Sequence, residues 1–148
     1  MKRVLMIITA CFSMLMSVEA QSGLHIAPLF EGKIIPQQRM VETRVKGKML
    51  SKYQLTLFRS VRFNANTKQE IARVHDLIEL DKKQNQVHPY SENYSSKKSR
   101  SKETLMLQLP KEGNHNRFLC YKRNNDEITV IYMEGTLSSL DTLRELIK

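Results

Sequence analysis

The sequence predicts an α+β domain: an antiparallel sheet, made of an N-terminal hairpin and a C-terminal three-stranded meander, packed with two main helices. Two observations carry this. Apolar residues alternate with a period of two in "KYQLTLFRSVRF", which follows "VETRVKG", and "ETLMLQL", "NRFLCYKR" and "EITVIYM" are strand-like runs separated by turn residues. Between the two groups, and again at the end, the period changes to that of a helix, in "NTKQEIARVHDLIELDKKQ" and "GTLSSLDTLRELIK".

In chain order, Lys2 and Arg3 precede an apolar run from Val4 to Val18, and Glu19-Ala20 precedes Gln21. A basic head, an apolar stretch too short to span a bilayer and a small residue at the end read as a signal peptide over residues 1–20, cut after Ala20. The tetrapeptide ending in Cys11 gives a minority reading, a lipid anchor at that cysteine; the apolar run continuing past Cys11 weighs against it. Residues 21–148 then form a single domain, with no further transmembrane stretch and with Cys120 as the one remaining cysteine. No disulfide can close within that domain, so packing alone must hold it. This predicts a periplasmic or secreted protein.

Leu24 to Gly32 suits a short helix with Pro28 in its first turn and Gly32 as its stop. The hairpin follows, with Tyr53, Leu55, Leu57, Val61 and Phe63 on one face; Arg59 interrupts that face, which predicts an edge position or a bulge. In the central helix Ile71, Val74, Leu77 and Ile78 form one stripe, and Thr67 and Glu70 have capping-box spacing. Apolar content then collapses over residues 85–102, "NQVHPYSENYSSKKSRSK", which reads as a long, exposed basic loop. In the meander, "EITVIYM" is apolar on both faces and therefore belongs in the middle of the sheet. Leu140, Leu143, Leu146 and Ile147 give the last helix its apolar face.

Three stretches, "GLHIAPLFEGK", "LTLFRSVRF" and "ITVIYMEGTLSSLDTLRELIK", combined with the leader, resemble the small exported proteins of unknown function found in gut Bacteroidales. The resemblance implies a periplasmic or surface location and a sheet-and-helix fold. It brings no active-site residues, because the shared stretches are packing patterns.

The formal net charge is +9 over 148 residues, and the excess survives loss of the leader. A basic field attracts polyanions; outside the cytoplasm these are phosphorylated lipids and anionic glycans, and no specific nucleic acid is predicted. The candidate site is Lys97, Lys98, Arg100 and Lys102, with Tyr90 and Tyr94 just upstream, where ring faces stack on sugar and cations take phosphate or sulfate.

Catalytic constellations are scarce. His115 and Cys120 have a separation that points them to opposite faces of a strand, so a cysteine-dependent hydrolase or transferase using Cys120 is the alternative and a buried core thiol the main reading. His75 and Glu79, four apart on a helix, lack the third and fourth ligands a metal needs. No phosphate-binding loop or HExxH occurs, and no cofactor is predicted. The reading is a non-enzymatic envelope protein, a binding or interaction module for anionic glycan, lipid headgroup or an envelope protein partner. An apolar ligand held between sheet and helices is a third reading.

Overall fold

The structure, a computed structural model, describes residues 23–84, 101–138 and 140–146. It is a mixed α+β fold built on one five-stranded antiparallel sheet. The strands are β1 (Val41–Lys46), β2 (Leu55–Asn64), β3 (Lys102–Glu112), β4 (His115–Asn124) and β5 (Glu127–Gly135), and the helices are α1 (Ala27–Phe30), α2 (Lys68–Gln84) and α3 (Leu140–Leu146). Across the sheet the order is β1-β2-β5-β4-β3. The strand that is apolar on both faces, β5, thus lies at the centre of the sheet.

On one face Leu57, Val61 and Phe63 of β2, Leu105, Leu107 and Leu109 of β3, Leu119 and Tyr121 of β4, and Ile128, Val130 and Tyr132 of β5 form the main core. Over them lie the stripe Ile71, Val74 and Ile78 of α2 and a plug from the N-terminal segment, Leu24, Ile26, Leu29, Phe30 and Ile35, all buried. Among the described residues, the second face is covered at one end only. There Phe118 and Cys120 of β4 and Ile131 and Met133 of β5 pack under Leu137, Leu143 of α3, and Leu50.

Local chemistry accounts for the boundaries. Pro28 sits in the first turn of α1, and Gly32 takes φ +74° just after it. Thr67 Oγ1 accepts the Glu70 N–H at 3.2 Å. Glu70 in return accepts the Asn66 N–H at 2.8 Å, one residue earlier than a standard capping box, and grips Arg39 through both guanidinium nitrogens at 2.7 and 2.9 Å. The N-terminal segment is fixed to α2 by Asp81, fully buried, whose carboxylate accepts the backbone N–H groups of His25 at 2.6 Å and Ile26 at 3.0 Å.

Two expectations change. Between β1 and β2 the chain makes a 3-10 helix over Lys48–Tyr53, closed by Gln54 at φ 58°, so Tyr53 lies outside the strand and is 37% exposed. Arg59 sits at neither an edge nor a bulge; it is in register with Arg44 and Tyr132, and β2 lies between β1 and β5. Its charge is tolerated inside because Nε donates to Glu42 at 2.7 Å, an Nη donates to the Phe30 carbonyl at 3.0 Å, and the guanidinium lies 5.2 Å over the Phe30 ring. The register slip in β2 falls between Leu55 and Leu57, next to that 3-10 helix.

Candidate anion-binding face

The uncovered end of the second sheet face is polar and basic. Reading across the strands, Arg62, Thr129, Lys122 and Thr104 occupy one row, and Asn64, Glu127, Asn124 and Lys102 the next. Arg62, Lys122 and Lys102 are exposed, and none of the three makes an ion pair or side-chain hydrogen bond among the described residues. Thr129 separates Arg62 from Lys122, so their backbones are two strand spacings apart, about 9–10 Å. Lys122 and Lys102 are diagonal neighbours at about 7–8 Å. The four-carbon stem of each lysine can swing its ammonium group toward a shared anion or apart to separate ones.

A cleft of about 560 Å³ opens beside Lys102 and Lys122, with Thr129 and Ile131 at its floor and Asn124, Arg123, Glu103 and Glu127 also lining it; Arg62 lies outside its lining, across Thr129. Glu127 is the carboxylate in the exposed row. Lysine walls with hydroxyl and amide donors beside them are suited to phosphate or sulfate oxygens, which accept from ammonium, hydroxyl and amide groups together.

Of the residues that the sequence singles out for anion binding, Lys102 is described. It is the first residue of β3 and lines this cleft. Lys97, Lys98, Arg100, Tyr90 and Tyr94 lie outside the described residues, as do residues 1–20. The contributions of Arg62 and Lys122 escape sequence reading because the strands that bear them are separated in the chain and meet only through β5. The available signal is alternation: both fall opposite the core-facing positions of their strands.

Cys120 is buried between Phe118 and the α3 end of this face, and burial pushes its thiol up to about 12. His115, the other half of the nucleophile hypothesis, is exposed at the first position of β4. Nothing in this arrangement generates a thiolate. His75 turns away from the Glu79 pairing considered above: its Nε2 lies 3.2 Å from Glu103 Oε1 of β3. Among the described residues no three His, Cys, Asp or Glu side chains converge as metal ligands, and no helix is long and apolar enough to cross a membrane.

No curated protein and no solved structure matches the chain significantly. A family model does match, over residues 13–147, and on that match the chain belongs to DUF6108, a family of unknown function.

Proposed function

We propose that the protein is an exported, non-enzymatic binding module of the cell envelope whose open sheet face takes the phosphate or sulfate groups of anionic glycans or lipid headgroups. The observation that carries the reading is a group of three exposed cations, Arg62 and Lys122 in one row and Lys102 in the next, unpaired among the described residues and beside an open cleft. In the sequence, Lys97, Lys98 and Arg100 lie within five residues of Lys102, the first residue of β3. A leader with a basic head and short apolar run supports export to the periplasm or beyond. On that reading the finer architecture, a hairpin and a meander with α1 and α2 on the main core face and α3 at one end of the other, serves as a rigid frame that leaves the rest of that second face open among the described residues.

The test is a titration of the purified protein with a sulfated glycan and with anionic vesicles, at low and at physiological salt. Arg62→Ser/Lys102→Ser/Lys122→Ser is run beside a variant with Lys97, Lys98 and Arg100 changed to Ser. Binding of one ligand class that persists at physiological salt and weakens by about tenfold or more in the triple variant supports the reading. Equal binding of every polyanion, lost with salt and unaffected by the sheet substitutions, rejects it.

A further inference from the structure

On the main core face, at the same end of the sheet, a second cleft of about 580 Å³ opens between α2 and the strands β3 and β4. Its volume lies within the range of small-molecule sites. One wall is apolar, formed by Ile71, Ala72 and the ring of Tyr121; the others carry charge, Lys68 and Arg123 opposed by Asp76 and Glu103. Across the cleft runs the His75–Glu103 bridge of 3.2 Å, the imidazole standing edge-on to the Tyr121 ring at 5.9 Å between centroids.

The feature without an internal explanation is the Tyr121 hydroxyl. Tyr121 is fully buried, and its hydroxyl has no hydrogen-bond partner among the described residues. A buried unpaired hydroxyl costs about 1–3 kcal/mol, and replacing it by the hydrogen of phenylalanine removes that cost at no loss of packing. Burial and the nearby Glu103 carboxylate push this hydroxyl up to about 12, so at neutral pH it is a donor in need of an acceptor. Both residues of the bridge above it are partly exposed, His75 at 33% and Glu103 at 41%, which makes the bridge a removable cover.

We infer that this cleft binds a small monoanionic carboxylate with an apolar body, whose carboxylate replaces that of Glu103 at His75 and accepts the Tyr121 hydroxyl. The body lies on Ile71 and Ala72, with Arg123 and Lys68 supplying positive charge at the mouth. Nε of Arg123 is engaged with the Asn125 carbonyl at 2.9 Å, which holds the guanidinium in place and leaves its terminal nitrogens for the ligand. The carboxylates of Asp76 and Glu103 balance the two cations, so a dianion such as phosphate meets about twice the repulsion that a monoanion does. This selectivity separates the cleft from the polyanion face on the other side of the sheet.

The experiment is an amide-resolved NMR titration of the purified protein with benzoate, with benzamide and inorganic phosphate as comparisons. Benzoate is expected to shift the amides of Ile71, His75, Glu103, Tyr121 and Arg123 saturably, about tenfold more tightly than benzamide or phosphate. Tyr121→Phe should weaken benzoate about fivefold while leaving the melting temperature unchanged or higher, a combination that a purely structural hydroxyl cannot produce. Glu103→Gln, which weakens the internal competitor, should tighten benzoate. The inference is overturned if benzoate produces no shift at these amides, if benzamide binds equally well, or if Tyr121→Phe binds benzoate as the wild type does.

Discussion

Replacing Asp81 tests how the N-terminal plug is held. The carboxylate is fully buried and accepts two backbone N–H groups, from His25 at 2.6 Å and Ile26 at 3.0 Å. Asp81→Ala leaves both donors buried without an acceptor. At about 1–3 kcal/mol for each orphaned group, the variant should lose about 2–6 kcal/mol of stability. Asp81→Asn keeps one acceptor oxygen and turns an NH2 group toward the other donor, so it should lose roughly half as much. Urea unfolding at neutral pH measures both, and hydrogen exchange at His25 and Ile26 locates the effect. The pH dependence supplies an independent check. Burial raises the Asp81 carboxyl above its usual range, against the two N–H bonds that lower it. A raised carboxyl binds its proton more tightly in the folded state, so its contribution is greatest below the unfolded value and declines as pH rises through the folded one. Stability measured relative to Asp81→Asn should therefore fall as pH is raised from about 4, the unfolded carboxylate value. A loss below about 1 kcal/mol in Asp81→Ala, with exchange at His25 and Ile26 unchanged, would refute the clamp.

Three further outcomes are expected. Gly135→Ala would place a Cβ 2.1 Å from the Gln54 carbonyl oxygen and 2.7 Å from Leu55 Cα; because both are backbone, the variant should lose about 3 kcal/mol in thermal or urea unfolding. Glu70→Gln should cost about 1 kcal/mol by weakening both the Arg39 pair and the cap of α2. The Arg39 guanidinium and the Asn66 and Thr67 amides hold the Glu70 carboxyl down at about 2, so the wild type's advantage, full above the unfolded carboxylate range, should vanish as pH falls toward that value. Cys120 should react with a thiol reagent only on unfolding, at a rate that follows urea concentration; rapid stoichiometric labelling of the native protein would contradict its burial.

Much of the fold is legible in the chain because burial imposes a period on it. The stripe of α2 and the alternation of β2 through Leu57, Val61 and Phe63 survive unchanged, and the two-sided apolarity of β5 points to its central place. Sequence reading fails where one residue's environment is built by distant ones. Arg59 looks like a break in a strand until Phe30 and Glu42 are seen to surround it. Asp81 looks like one more polar residue near a helix end until its two amide partners arrive from the start of the chain. The 3-10 helix over Lys48–Tyr53 hides because Tyr53 keeps the alternating pattern of the strand that it precedes. For the proposed site, the basic composition is what suggests an anionic partner, and Lys102 is the one sequence-singled position among the described residues. The row that joins Lys122 to Arg62 is a property of strand order, which no local pattern encodes.

The placement of β5 also governs how the chain acquires its structure. Val61 must wait for Val130 before β2 gains its second neighbour, and β4 likewise pairs with β5 on the other side. A chain halted before Glu127 would own two separate ribbons, β1 with β2 and β3 with β4, neither of which is more than marginally stable in water. The sheet therefore has no partial version to offer early: its middle is the last strand made. Such a chain stays open, and threadable, until nearly all of it has been synthesised, and then closes in one late step dominated by long-range pairing.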